Sequence, residues 1–238
     1  MDNELIQESG ILLVDKPGAW TSHDVVKFIR GFGFKKVGHC GTLDPQATGL
    51  LVVVLGRATK LTDRFSGHAK AYDGVAQLGT ETYSQDAEGE ITATHDWSHV
   101  TPELLYQTFA QFVGEQMQIP PMVSAKKQGG KRLYKLARKG LEVEREPKPI
   151  TISRLEITEI NLPEVAFSLD CSKGTYVRTL CSDIGRKLNC GAFLKELTRI
   201  SSGPFHLDDA YDIEEIRGWN KAQLMEKMIP MEQALTYC

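Results

Sequence analysis

One acidic residue stands in a glycine-rich stretch that runs directly into an apolar segment. The stretch "KKVGHCGTLDPQATGLLVVVLG" spans positions 35–56, and its single carboxylate is Asp44, followed by Pro45. Glycines at positions 38, 41 and 49 allow another backbone to approach closely. Such a carboxylate could serve as a nucleophile or base. The residues alone favour a plainer interpretation, because Asp before Pro commonly initiates a turn.

Three familiar uses of such a loop do not fit this sequence. Phosphate-binding loops run from strand to loop to helix, whereas here the loop precedes the strand and no Gly-Lys-Ser/Thr follows. A phosphatase-type nucleophile would need a second Asp two residues on, which "LDPQA" lacks. A glycosidase would need a second carboxylate nearby. Asp44 would therefore have to work without a neighbouring acid in the sequence.

The apolar patterns predict the elements that position this loop. Buried strands are expected at 11–14 and 50–55, with a helix between them that Thr21 or Ser22 caps and Gly31 ends. Further strands are expected at 72–78, near 150 and at 165–171, and further helices from Pro102 and from Val177. These elements predict an α+β fold around a mixed, largely antiparallel central sheet flanked by helices and loops. A boundary is expected near Gly203-Pro204, so that residues 205–238 form a short helical tail.

Composition places the chain among ordinary globular proteins. It has 238 residues, of which 41% are hydrophobic and 25% charged. The longest apolar run, Leu50–Leu55, is far shorter than the ~20 residues that span a bilayer. The acidic, polar N-terminus is unlike a signal peptide. Five cysteines without a CxxC pair argue against a zinc site or a disulfide framework. We expect a cytoplasmic protein that binds neither membrane nor metal.

A basic stretch interrupts an otherwise acidic chain. The net charge is −3, yet nine basic residues and only three acidic ones lie between Lys126 and Pro149. Such a concentration is typical of a surface that contacts a phosphate backbone, although a solvated charged loop is the alternative. The residues expected to contact such a backbone are Lys126, Lys127, Lys131, Arg132 and Lys135.

Several ordered blocks resemble the TruB family of tRNA pseudouridine synthases, bacterial type. "GHCGTLDPQATGLL" is similar to the family's catalytic motif, and "GILLVDKPGAWTSHDVV" to its N-terminal motif. "KAYDGVAQLGTETYSQDAEGEI" and "CSKGTYVRTLCSDIGRKLNCGA" resemble its tyrosine and arginine motifs. "IPPMVSAKKQGGKRLYKLARKG" resembles its tRNA-gripping insertion, here at about 121–149. The resemblance implies a pseudouridine synthase catalytic domain over residues 1–204.

The resemblance also implies the reaction and its main residues. Pseudouridylation breaks the C1′–N1 glycosidic bond, turns the uracil and rejoins it through C5, so no cofactor or metal is implied. Asp44 would be the nucleophile or the base that begins the cleavage. Arg178 would pair with it, and such a cation would lower the pKa of the Asp44 carboxyl. The target uridine of the T loop, position 55, would be flipped out and would stack on Tyr72, which could also help to remove the C5 proton.

Other residues acquire supporting roles from the same resemblance. Tyr176 and Leu197 would line the base pocket, His39 would fill the space that the base vacates, and Lys16 would brace the loop or contact substrate. The partner would be the T-arm stem-loop of tRNA, bound by a monomer. Cys40, Gln46 and Thr198 depart from the usual pattern, and residues 205–238 do not resemble the family's PUA domain. A guide-RNA-dependent synthase of the dyskerin type and an RNA-folding chaperone remain alternatives.

Overall fold

A computed structural model gives the structure of residues 8–123, 127–128, 131–132 and 143–237. The chain divides into two compact units. The first unit comprises Met1–Tyr72 and Leu197–Cys238, and the second comprises Asp73–Glu196.

Strands and helices alternate irregularly along the described chain. The strands are β1 Gly10–Lys16, β2 Val37–His39, β3 Thr48–Leu55, β4 Lys70–Leu78, β5 Thr80–Thr82, β6 Ile91–Thr94, β7 Gly114–Gln118, β8 Lys127–Gln128, β9 Lys131–Arg132, β10 Lys148–Asn161, β11 Glu164–Cys171, β12 Ala192–Ser202, β13 Phe205–His206, β14 Tyr211–Asp212 and β15 Ile229–Pro230. The α-helices are α1 Ser22–Arg30, α2 Thr62–Ser66, α3 Pro102–Ala110, α4 Val177–Lys187, α5 Ile213–Arg217, α6 Lys221–Lys227 and α7 Met231–Ala234.

In the first unit, β1 and β3 form the centre of a sheet with the order β14-β1-β3-β12. β1 and β3 are antiparallel, whereas β12 runs parallel to β3 with Arg199 opposite Gly49. Alternate residues of both strands face two separate apolar clusters. Leu12 and Leu51 belong to the cluster with α1, α5 and α6, and Leu13 and Val52 belong to the cluster with Phe65 and Phe205. Burial on both faces explains the unbroken apolar run of β3.

Helix α1 begins and ends where the sequence predicts. The Thr21 side chain accepts from the Asp24 backbone N–H, and the Asp24 carboxylate accepts from the Thr21 N–H, which is a complete capping box. The helix ends at Gly31. Its buried face, including Val25, Val26 and Ile29, packs against the sheet. This packing fixes the chain on one side of the loop that carries Asp44.

In the second unit, a sheet with the order β4-β11-β10-β7 supports helices α3 and α4. β10 pairs antiparallel with both β11 and β7. Phe109 of α3 packs edge-on against Phe167 of β11, with ring centroids 6.3 Å apart. α4 buries Val177, Leu180 and Ile184, as its apolar spacing predicts.

The expected α+β fold with a mixed, largely antiparallel sheet is confirmed. Residues 205–237 contain the short helices α5 to α7, and within the first unit β14 and β15 pair with β1. The boundary near Gly203-Pro204 stays a prediction. Strands β7 and β12 were not predicted. α3 begins at Pro102, as expected, and ends at Ala110.

Candidate active site

The loop that carries Asp44 joins the paired strands β2 and β3. The half-buried Asp44 begins a turn that the Ala47 N–H closes by donating to the Asp44 carbonyl at 3.1 Å. Ser22 of α1 holds Leu43, the residue before Asp44, through two hydrogen bonds. Its Oγ donates to the Leu43 carbonyl at 3.0 Å and accepts from the Leu43 N–H at 2.9 Å. Asp44 is thus a turn initiator, and it is also held in one place by neighbouring elements.

Lys16, at the end of β1, lies fully buried behind this loop. Its Nζ donates to the carbonyls of Pro17 at 2.8 Å, Trp20 at 2.6 Å and Pro45 at 3.0 Å. Burial lowers the pKa of the amine to about 8, although the charge of Asp44 opposes that shift. These contacts brace the residue next to Asp44. A role in substrate binding stays a prediction.

Arg199, on β12, holds both ends of the same loop, and no motif or spacing in the sequence predicted this role. The side chain is 1% exposed. Its Nε donates to the Leu50 carbonyl at 2.7 Å and its Nη2 to the Gly41 carbonyl at 3.1 Å. Gly49 has φ +94°, and a Cβ there would lie 2.5 Å from the Arg199 carbonyl oxygen. Only glycine permits this approach of β12 to the loop.

His39 and Cys40 precede the loop, and burial favours the uncharged form of both side chains. Burial and the charge of Arg199 lower the pKa of His39, so its ring is neutral at pH 7. Its Nδ1 is buried without a hydrogen-bond partner in the described part of the chain. Cys40 is fully buried, and burial raises the pKa of its thiol to about 12. A thiol in that state is a poor target for oxidation.

Leu197 and Tyr72 also belong to the first unit. Thr48 Oγ1 lies 2.8 Å from Thr198 Oγ1 and 3.5 Å from the Leu197 carbonyl, which places Leu197 beside the start of β3. Leu197 is half-buried. Tyr72 of β4 is 8% exposed. The first unit therefore brings Lys16 and Leu197 to the two sides of the loop, and the predicted roles of Leu197 and Tyr72 are open to test.

Arg178, in the first turn of α4, is held by three acceptors of the second unit. Its Nη1 donates to the Ser84 carbonyl at 3.0 Å and to Asp86 Oδ2 at 3.1 Å. Its Nη2 donates to the Val123 carbonyl at 2.9 Å. The arginine is therefore fixed and paired within its own unit. Because Asp44 belongs to the other unit, their pairing stays a prediction.

Asp86 was missed by sequence analysis, since "YSQDAEGE" has only the appearance of a polar turn. The structure buries it within that turn. Its Oδ1 accepts from the Ser84 hydroxyl and, at 3.2 Å, from the Glu88 N–H. Thr82 Oγ1 donates to the Asp86 carbonyl at 2.7 Å. The carboxylate that receives Arg178 is therefore itself held rigidly.

Tyr176 lies two residues before Arg178 and precedes the first residue of α4. It is half-buried. Its backbone N–H donates to Gln118 Oε1 at 2.8 Å, and its carbonyl accepts from Gln118 Nε2 at 3.0 Å. The second unit therefore brings Tyr176 and Arg178 together at one helix start.

The basic stretch lies mostly outside the described residues. Lys126 and Lys135 are not described, and for Lys127, Lys131 and Arg132 only the backbone is, as the short hairpin β8–β9. Their expected contacts with RNA stay predictions. The first unit offers a second group of exposed cations that sequence analysis did not single out. Its members are Lys35, Lys36, Arg57 and Lys60, and the Gly56 N–H donates to the Lys36 carbonyl at 2.9 Å, which holds the two halves of the group together.

The described residues contain neither a group of side chains that could hold a metal ion nor a helix that could span a membrane. No group of three or more His, Cys, Asp or Glu side chains among them is placed to hold a metal ion. No helix in the same ranges is long and apolar enough to cross a membrane.

Two of the solved structures that match this fold are complexes of several components. A Cbf5-Nop10-Gar1 complex matches with a TM-score of 0.75 and 27% identity over 98% of this chain and 64% of that chain. An H/ACA RNP bound to a substrate RNA containing 2′-deoxyuridine matches with a TM-score of 0.70 and 26% identity, over 100% of this chain and 63% of that one. The chain thus spans less than two thirds of these proteins. The fold and the loop of Asp44 define a pseudouridine synthase architecture.

Family models and curated relatives narrow the class. The model "TruB family pseudouridylate synthase (N terminal domain)" matches residues 30–177, and "tRNA pseudouridylate synthase B C-terminal domain" matches residues 178–236. The chain belongs to the TruB family. It is 52% identical over 207 residues to tRNA pseudouridine synthase B of Geotalea uraniireducens. The aligned residues cover 87% of this chain and 67% of that relative. It is 46% identical over 226 residues to the protein of the same name from Opitutus terrae, over 94% of each.

Proposed function

We propose that the protein is a tRNA pseudouridine synthase that isomerises the uridine at position 55, in the T loop. The observation that carries this proposal is the loop of Asp44 in a TruB-family chain, fixed by Ser22, Lys16 and Arg199. The relatives named tRNA pseudouridine synthase B support tRNA as the substrate class.

Asp44 begins the reaction in this proposal. The carboxylate either attacks C1′ or removes a proton from the sugar, and the C1′–N1 bond breaks. The freed uracil turns and a C1′–C5 bond forms, while the bond between C1′ and the carboxylate breaks or the sugar regains its proton. The C5 proton is lost and N1 gains one. Atoms balance within the nucleotide, so the reaction is an isomerisation. A loop fixed by backbone hydrogen bonds suits this role, because a reacting group must stand in one geometry.

Arg178 supplies the positive charge of the site in this account. Its guanidinium is desolvated and held by Asp86 and two carbonyls, so its position is set before RNA arrives. A preorganised cation stabilises a carboxylate or developing charge without reorganisation during the reaction. Its proposed partner is Asp44.

The aromatic residues receive the base. The target uridine must leave the RNA stack, at a cost of a few kcal/mol. Tyr72 and Tyr176 would contact the flipped base, and the neutral ring of His39 would fill the space that it leaves. A neutral, flat ring can stack on the neighbouring bases without a charge to desolvate.

Basic residues would hold the phosphate backbone. The proposed contacts are Lys126, Lys127, Lys131, Arg132 and Lys135 of the insertion, together with the exposed group of Lys35, Lys36, Arg57 and Lys60. Cations that neutralise phosphates release counterions, so binding should weaken as salt rises.

A guide-RNA-dependent synthase is the second candidate, since the structural matches include a substrate-bound H/ACA RNP. Two features favour the tRNA enzyme. Identity is 44–52% to the tRNA pseudouridine synthase B relatives and 26–27% to the H/ACA proteins. The chain also has the basic insertion that we expect a guide-dependent enzyme to lack. A tRNA-folding chaperone activity is compatible with either.

Mapping pseudouridine in a purified reaction tests the proposal. An unmodified tRNA transcript incubated with the protein alone should acquire pseudouridine at position 55, and a transcript with cytidine at that position should acquire none. Modification that requires an added guide RNA would favour the second candidate. Binding of the transcript without any pseudouridine would leave only the chaperone.

A further inference from the structure

Gln118 is a buried polar residue outside the motifs that carry the proposed reaction. It ends strand β7 and is 4% exposed. In the register of the sheet it stands opposite Lys148 of β10. Gln118 and Lys148 are therefore the last paired residues of β7 and β10, and most of the basic insertion lies between them in the chain.

The Gln118 side chain binds one backbone unit through both of its polar atoms. Its Oε1 accepts from the Tyr176 N–H at 2.8 Å, and its Nε2 donates to the Tyr176 carbonyl at 3.0 Å. This pair of opposed hydrogen bonds reproduces the pattern of a strand pairing with side-chain atoms. Two hydrogen bonds fix the direction of a peptide, where one would leave it free to turn.

Tyr176 is the residue from which α4 starts. It has an extended backbone, with φ −100° and ψ 106°, and no side chain caps the helix there. Since Arg178 lies in the first turn of α4, the position of Tyr176 also sets the origin of the Arg178 side chain. The chain that follows Gln118 also contacts Arg178 directly, because the Val123 carbonyl accepts a hydrogen bond from Arg178 Nη2 at 2.9 Å.

We propose that Gln118 is a positioning residue of the isomerase site, which places Tyr176 and the first turn of α4 for the reaction. The inference rests on the proposed function. In the described part of the chain, the hydrogen bonds of the Gln118 side chain go to the Tyr176 backbone, so it acts through Tyr176 and Arg178. Gln118 lies at the end of β7, just before the insertion that we propose contacts RNA. Its hydrogen bonds therefore connect that point of the chain to the start of α4, the helix that carries Arg178.

Gln118→Met tests the inference, with Gln116→Met as its matched control. Methionine has nearly the same length and neither hydrogen-bonding atom. Gln116 lies on the same strand, is half-buried, and donates to the Phe112 carbonyl, away from Tyr176. For Gln118→Met we expect kcat to fall by about tenfold or more, because two hydrogen bonds are lost, with KM for tRNA unchanged. Gln116→Met should keep both constants.

Hydrogen exchange provides a readout that does not depend on turnover. In Gln118→Met the Tyr176 amide loses its acceptor, so its exchange should accelerate, whereas Gln116→Met should leave it unchanged. Gln118→Glu is a second variant in case the methionine protein folds poorly. It keeps the acceptor for the Tyr176 N–H but loses the donor, so we expect a protected amide and an intermediate kcat.

Each outcome decides the inference. Unchanged exchange at Tyr176, or faster exchange with a normal kcat, overturns the positioning role. A rise in KM at constant kcat would make Gln118 an RNA-binding residue and also overturn it. An inactive wild-type protein would refute the proposed function instead, and the exchange data would still say whether Gln118 holds Tyr176.

Discussion

The guanidinium of Arg178 and the carboxylate of Asp86 form a buried ion pair, with Nη1 3.1 Å from Oδ2 and side chains only 5% and 6% exposed. Two charges removed from water depend on each other, since the loss of one leaves the other buried and uncompensated. Asp86 is in turn bonded to Ser84 and Glu88. The position of the proposed catalytic arginine is thus fixed by a residue that the sequence motifs did not reveal.

Asp86→Asn should cost both stability and activity. The amide keeps the size of the carboxylate but not its charge, so we expect the free energy of unfolding to fall by about 3 kcal/mol. kcat should fall because Arg178 loses its anchor. Asp170→Asn is the control, because Asp170 forms an exposed pair with Arg154, worth less than about 1 kcal/mol. Urea unfolding and single-turnover assays measure both effects. Equal losses in the two variants would contradict the account.

Arg178→Lys should recover only part of the activity that Arg178→Ala loses. Alanine removes the cation, and we expect kcat to fall by about 100-fold. Lysine restores the charge without the planar fork, so it cannot satisfy the carbonyls of Ser84 and Val123 together with Asp86. kcat at neutral pH, measured on all three proteins, should rank Arg, Lys, Ala. Near-normal turnover in the alanine variant would show that the cation is not needed.

Lys16 should make stability rise with pH. Burial lowers the pKa of its amine from 10.5 to about 8 in the folded protein. Between those values the unfolded chain binds more protons than the native one, so the free energy of unfolding increases with pH. Lys16→Met removes this contribution. We therefore expect the free energy of unfolding of the wild type to rise relative to that of Lys16→Met between pH 8 and pH 10.

Urea titrations at several pH values between these limits measure that difference. Lys60→Met, at an exposed lysine, corrects for the general effect of one lost charge. A difference that stays constant over the range would mean that Lys16 does not change its protonation on folding as its burial implies.

Local signals in the sequence predicted the elements that depend on nearby residues better than those that depend on distant segments. The Thr21 cap and the unbroken run at Leu50–Leu55 each act within a few residues, and both elements formed as expected. Strand β12 was missed because "AFLKELTRISS" mixes charged and apolar residues, and its burial depends on β3, which is distant in sequence. Arg199 and Asp86 were missed for the same reason, since their partners come from remote segments. The roles of Asp44 and Arg178 came from the family resemblance, not from spacing.

The basic insertion should control the salt dependence of RNA binding. Replacing Lys131, Arg132 and Lys135 by Ala should raise KM and flatten the slope of log K against log salt by ~0.7–0.9 per lost phosphate contact. Alanine at the exposed Lys173 and Lys187 is the control for lost charge elsewhere. Filter binding at several salt concentrations gives the slope. An unchanged slope in the triple variant would remove the insertion from the RNA interface.

Asp44→Asn separates a catalyst from a protein that only binds RNA. Asparagine preserves the size of the side chain, and the turn bond that closes the loop comes from the Asp44 carbonyl, which the change leaves in place. The fold and the loop should therefore survive, while the charge that begins the glycosidic cleavage is lost. Asp208→Asn, at an exposed residue of the same unit, is the control and should keep full activity.

The most direct test is pseudouridine formed per enzyme by Asp44→Asn, with affinity for an unmodified T-arm stem-loop measured on the same preparation. We expect undetectable pseudouridine and an affinity within about tenfold of wild type, or ~1.4 kcal/mol. Pseudouridine clearly above a no-enzyme control would contradict Asp44 as the catalytic residue. Loss of binding together with loss of activity would make Asp44 a structural turn residue instead.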